Sequence, residues 1–173
     1  MVIRNRFAHG AAAIAFGTFA FCLLPVTVHA ASATATLSVS ATVINNCTVT
    51  TAPLAFGTYD PVVANGSTSL DGTGSVTIAC TKGATSTVGL NLGSNASGIT
   101  RRLGDGASNF LTYEVYKEAA RANVWGNTGV DLYSPGVAPS KTPRTLTVYG
   151  RIVGDQDVPA GSYTDSTTAT VNF

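Results

Sequence analysis

The run Ala33-Thr34-Ala35-Thr36-Leu37-Ser38-Val39-Ser40-Ala41-Thr42-Val43 alternates apolar and hydroxyl side chains over eleven residues without an exception. Successive side chains of a strand point to opposite faces, so a period of two held this long describes a strand with one apolar face and one wet face. Extended, the run spans on the order of 35 Å. No other stretch of the 173 residues carries a stronger strand signal. Yet it stands near the start of the chain, where a free end stays disordered unless a sheet receives it.

Two receivers are open. Asn45-Asn46 suit a tight turn, which would let the run pair with its own domain as a first strand. Against this, only Ile44-Asn45-Asn46 separate it from Cys47, where the next strand pattern begins, and that is little chain for a crossover. The other receiver is a second molecule, whose sheet the run would complete by β-augmentation. Composition does not choose between them.

Before the run the pattern changes. Arg4 and Arg6 precede an apolar stretch from Ala11 to Leu24, followed by Pro25 and by Val28-His29-Ala30. This is the layout of a secretory signal peptide cut after Ala30. The stretch is shorter than the roughly 20 residues of a membrane-spanning helix, and nothing later approaches that length, so no membrane anchor is expected. Cleavage removes both histidines, His9 and His29, together with Cys22, and leaves Cys47 and Cys80. Nucleophile pairs that need histidine and His-bearing zinc sites then drop out, and no metal or cofactor is expected. With Arg4 and Arg6 gone, the ten Lys and Arg no longer outnumber the nine Asp and Glu. A chain without basic excess is a poor holder of phosphate backbones, so no nucleic acid is expected as partner.

Downstream, alternation recurs. The inward sets are Val76, Ile78 and Cys80; Val88, Leu90 and Leu92; Leu111, Tyr113 and Val115; and Leu146, Val148, Gly150 and Ile152. A last strand over 162–173 sets Tyr163, Ala169, Val171 and Phe173 on one face. A first strand near Cys47 to Thr51 and a short one at Leu54 to Gly57 complete the pattern. Turn signals such as Asn65-Gly66, Gly104-Asp105-Gly106 and Pro135-Gly136 separate the runs. Threonine-rich and poor in helix formers, the chain reads as all-β, an immunoglobulin-like sandwich, whose only helical candidate is a turn or two around Glu118 to Asn123.

A set of short stretches then narrows the reading. Cys47-Thr48-Val49, Leu54-Ala55-Phe56-Gly57-Thr58-Tyr59-Asp60, Cys80-Thr81-Lys82-Gly83, Leu111-Thr112-Tyr113-Glu114-Val115-Tyr116, Val124-Trp125-Gly126, Leu146-Thr147-Val148-Tyr149-Gly150-Arg151-Ile152 and Ala160-Gly161-Ser162-Tyr163-Thr164-Asp165 through Phe173 follow one another in order. The ordered set resembles the spore coat protein U domain family, which includes major subunits of archaic chaperone–usher pili. The resemblance implies an all-β, incomplete immunoglobulin-like sandwich that lacks its last strand and is completed by a donor strand from a neighbouring subunit. On it, residues 1–30 are a signal peptide, 31–46 a donor strand and linker, and 47–173 the pilin domain. The donor positions are Ala33, Ala35, Leu37, Val39, Ala41 and Val43, with shallow pockets expected for the three alanines. The edge of the acceptor groove is Tyr163, Ala169, Val171 and Phe173. Implied partners are other copies of the chain in a homopolymer, a periplasmic chaperone that first fills the groove, and an outer-membrane usher that exchanges it.

The function implied is a structural stem subunit of a surface pilus, exported through the periplasm and serving attachment and biofilm formation without catalysis. The rivals are a secreted binding module or tip adhesin and a self-associating coat protein. Cys47 and Cys80, an even pair widely spaced in an exported chain without histidine, read as a structural disulfide rather than a redox pair or half a metal site. Asp60, Asp71, Asp155, Asp157 and Asp165 read as solvated turn carboxylates. Trp125, Tyr116 and Tyr133 read as packing rather than a sugar platform.

Overall fold

A computed structural model describes residues 28–173. Apart from residues 28–30, the expected signal peptide lies outside the described residues. The chain divides after Ser40 into two units. In the first, residues 28–40 are exposed and carry no regular secondary structure.

The second unit holds seven strands: β1 (Cys47–Ala55), β2 (Leu70–Cys80), β3 (Thr87–Leu90), β4 (Arg101–Gly104), β5 (Phe110–Tyr116), β6 (Arg144–Ile152) and β7 (Ala169–Asn172). Five form an antiparallel sheet in the order β1-β2-β6-β5-β4, and β3 pairs with β7 in a second sheet. Alternation explains the packing. Val76 and Ile78 of β2, Leu111, Tyr113 and Val115 of β5, and Leu146, Val148 and Ile152 of β6 meet Val88 and Leu90 of β3 in one core. Trp125 lies wholly inside it, donates from Nε1 to the Val88 carbonyl at 2.9 Å, and stacks on Tyr133 with ring centroids 4.8 Å apart. No sugar platform is left there.

Several expectations need correction. The first strand and the short one after it are a single β1, irregular between Ala52 and Ala55, where Pro53 sits on an edge strand that tolerates its missing N–H. β4 was not foreshadowed, because Arg101-Arg102 hides the strand under two cations. Leu92 lies beyond the end of β3. The final strand is only Ala169–Asn172; Thr164 bridges Gly104 in isolation, and the intervening residues bond to a turn. There the carbonyls of Ser166 and Thr168 accept from Ser94 and Asn91. Residues 118–123 form a turn and no helix: the Glu118 carboxylate accepts from the N–H groups of Ala122 and Asn123, tying the loop without a helical ladder. The described helix is a three-residue 3₁₀ turn at Gly129–Asp131.

Arg101, which the sequence did not flag, is fully buried and ties the two sheets together. Its guanidinium donates to the carbonyls of Leu90, Asn91 and Trp125 and pairs with Glu114 on β5. The bonds to Leu90 and Trp125 satisfy buried carbonyls, so losing the cation would leave those acceptors unpaired.

Cys47 and Cys80 stand directly opposite each other in the β1–β2 register and form a disulfide. It closes a loop of sequence separation 33. Replacing both by alanine is expected to lower the unfolding free energy by about 3–4 kcal/mol on the chain-entropy account, read from the guanidinium midpoint together with a steeper slope, since the unfolded chain is freed to expand.

Candidate functional site

The domain leaves one position of its sandwich open. β1 is hydrogen-bonded on one side only, to β2, and β7 on one side only, to β3. The two bare edges approach within 8 Å between Cα atoms, yet share no ladder. Burial across each pair shows the consequence. Val49 is the register partner of Ile78 and so points the same way, but it is 38% exposed whereas Ile78 is 0% exposed. Val171 and Ala169 are only half-buried, though their partners Val88 and Leu90 are buried. Inward-facing apolar residues lie open because no strand stands between β1 and β7.

At one end of this trough β1 crosses the sheet. After the irregularity at Ala52, Leu54 and Phe56 fold over Gly74 and Gly150 of the inner face. A Cβ on Gly74 would lie 2.9 Å from Leu54 Cα, and one on Gly150 would lie 2.7 Å from both Leu54 Cδ2 and Phe56 Cζ. Only glycine permits that approach. Two cavities adjoin this crossing, of about 330 and 590 Å³, and share Leu54, Phe56, Leu103 and Asp165 in their walls. The smaller reaches under Thr51–Pro53 on one side and Ser166-Thr167 on the other, so it continues the trough.

Asp165 is no solvated turn carboxylate. Its Oδ1 accepts from the N–H groups of Ser94 and Asn95 at 2.8 and 3.1 Å, and its Oδ2 accepts from the Tyr113 hydroxyl at 2.8 Å. The bond clamps the lead-in to β7 against β5. Burial pushes the Tyr113 phenol up to about 12, and the neighbouring Asp165 carboxylate adds to the rise. Asp71 is also engaged: Arg151 grips both its oxygens and Arg121 lies 3.2 Å away, holding its carboxyl below the usual range. Asp60 caps its own turn, accepting from Val62 and Val63. Among the described residues no three His, Cys, Asp or Glu side chains gather as a metal site.

Of the residues expected at the groove edge, Ala169 and Val171 flank the trough and Tyr163 lines the larger cavity. Phe173, beyond the end of β7, is 56% exposed. Ala33, Ala35, Leu37, Val39, Ala41 and Val43 belong to no strand and are exposed, Leu37 to 84%. Leu54 and Phe56, the floor of the crossing, were read only as a short strand. A glycine on the inner face at positions 72, 74 and 150 was the signal that something packs there.

An all-β sandwich with one strand position empty and apolar residues laid open along both flanks defines an immunoglobulin-like domain that lacks a strand. The chain matches the Spore Coat Protein U domain over residues 33–170 and belongs to that family. It is 37% identical over 159 residues to Protein U of Myxococcus xanthus, an alignment covering 84% of this chain and 87% of that one. Its fold is similar to a chain in the crystal structure of the CsuC-CsuE chaperone-tip adhesion subunit pre-assembly complex from archaic chaperone-usher Csu pili of Acinetobacter baumannii. There the TM-score is 0.57 at 22% identity over 76% of this chain. This chain spans 41% of the length of that one.

The unfolded phenol ionises near 10. Because the folded Tyr113 ionises near 12, the stability it contributes is whole below pH 10 and is lost as pH rises through about 12. Ultraviolet titration of the folded protein is expected to show a late tyrosine step near pH 12 that Tyr113→Phe removes; complete ionisation by pH 11 in the parent chain contradicts this placement.

Proposed function

We propose that the chain is a structural stem subunit of a surface pilus assembled by donor-strand exchange. One observation supports this above the rest: a domain with a vacant strand position is joined, in the same chain, to an exposed segment whose sequence alternates as a strand does. The donor is Ala33, Ala35, Leu37, Val39, Ala41 and Val43, and the acceptor is the trough between β1 and β7 of the next copy. Burying Leu37, Val39 and Val43 contributes roughly 1.5–3 kcal/mol each and the alanines less. Each ladder hydrogen bond adds about 0.5–1.5 kcal/mol. A strand placed between two others needs about 10 Å from one flank to the other, so β1 and β7 part by a few ångströms on insertion.

On this reading residues 1–30 direct export, 31–46 are donor and linker, and 47–173 are the acceptor domain. The open trough needs a cover before assembly, which suits a periplasmic chaperone, and an outer-membrane usher to catalyse its replacement. The polymer stands at the cell surface and serves attachment and biofilm formation. The reading assigns the chain no chemistry and no cofactor. The likeness in fold to a chain of a chaperone-tip adhesion subunit complex from chaperone-usher pili supports a pilus subunit, without choosing stem over tip. A coat protein is the second reading, favoured by the description of the family, Spore Coat Protein U, whose domain matches residues 33–170; polymerisation by the same exchange would build a coat as readily as a fibre.

Leu37→Asp or Val39→Asp is expected to block polymerisation, because a carboxylate forced into an apolar trough loses its hydration with no partner to replace it. Ser38→Asp, on the opposite face, is expected to assemble as the parent does. The measurement is the heat-resistant oligomer ladder with electron microscopy of the product. Equal assembly by all three variants refutes the plug, and filaments absent from wild-type material that still oligomerises favour the coat.

A further inference from the structure

Strand pairing places several loops of the domain at two ends. Leu70 pairs with Ile152 and Gly104 with Phe110, so segments 56–69, 105–109 and 153–163 lie at one end, and Asp155 N–H donates to the Asn65 carbonyl across two of them. Cys47, Cys80 and Arg144 mark the other end, where Gly83 N–H donates to Ala138 and Thr85 bridges Val137. Charge follows this division. Segments 56–69, 105–109 and 153–163 contain Asp60, Asp105, Asp155 and Asp157 and no Lys or Arg. Segments 41–46, 81–86 and 134–143 contain Lys82 and Lys141 and no Asp or Glu. Each end also exposes apolar side chains: Val62, Val63 and Val153 in the acidic segments, and Val43, Ile44 and Val137 in the segments that carry the lysines.

The root of the N-terminal segment is fixed at the basic end. Thr81 N–H donates to the Asn46 carbonyl at 2.9 Å, and its hydroxyl meets Asn46 N–H and the Ile44 carbonyl, both at 3.1 Å. Ile44 is thus held on its own domain while Val43, next in the chain, is the last donor position. A single peptide step spans only about 3.8 Å. Two copies joined by the donor segment therefore touch where it leaves the acceptor.

We infer that successive copies meet end to end, the Lys82 and Lys141 end of one seated on the Asp155 and Asp157 end of the next, with Ile44 and Val137 facing Val62 and Val63. Opposite charge favours this contact and rejects lysine against lysine, with the donor leaving its acceptor at the acidic end. The same two different surfaces are used at every joint, which yields an open fibre.

This rests on the donor-strand reading, and one experiment separates the two. Growth of heat-resistant oligomers is followed for the full mature chain, for Lys82→Glu/Lys141→Glu, for Asp155→Lys/Asp157→Lys, and for a mixture of the two reversed chains as well as the chain carrying all four changes. At about 0.05 M salt each reversed pair alone is expected to grow about fivefold slower than the parent, and the fourfold variant to recover, with the differences shrinking at about 0.5 M salt. All four side chains are exposed, and unchanged melting temperatures confirm that folding is intact. Parent growth that an excess of the Ala33–Val43 peptide fails to inhibit overturns the donor-strand reading. Growth that the peptide inhibits, but that either reversal leaves at the parent rate or the fourfold variant fails to restore, overturns the end contact alone.

Discussion

A sheet edge with apolar residues behind it is unstable in water twice over: its backbone groups compete for solvent, and its inward side chains are wet. This domain has two such edges facing each other. Val49 and Ile78 occupy paired positions on one face, and the difference in their exposure measures what a missing neighbour does. Exposed edges with this character invite pairing with another chain, so a native protein must direct that pairing to one partner strand. Pro53 and the irregularity beside it stop β1 from offering a regular ladder along its whole length.

The remaining contacts keep the trough in shape while it is empty. The disulfide pins the start of β1 to the end of β2. Leu54 and Phe56 settle on inner-face glycines and carry the end of β1 across the sheet. Asp165 fixes the lead-in to β7 through Tyr113 and the turn at Ser94. Arg101 binds the small sheet to the large one, so that β7 does not drift from β1 when nothing lies between them. Buried polar groups would be a costly way to stabilise a closed core, but here they fix direction where apolar packing alone is incomplete.

Much of this was legible in the sequence, and the failures have physical causes. β2, β5 and β6 were readable because each buries one face, so that Val76, Ile78 and Cys80 keep the period of two. β4 was hidden because Arg101 points inward as a buried cation, which inverts the rule that charge marks the wet face. β7 was read too long because residues 162–168 have strand composition but bond to a turn instead of a ladder. Asp165 was misread since nothing local distinguishes a carboxylate that caps a distant turn from one in solvent. The alternating segment announced itself as a strand, but a strand's address is a property of the sheet that receives it, and periodicity carries no such information.

Amide hydrogen exchange of residues 33–43 in assembled material measures the central claim directly. If the segment fills the trough of a neighbour, alternate amides join ladders to β1 and β7 and their exchange slows by several orders of magnitude relative to the monomer. Exchange in the assembled state at the rate of an unstructured peptide would contradict it.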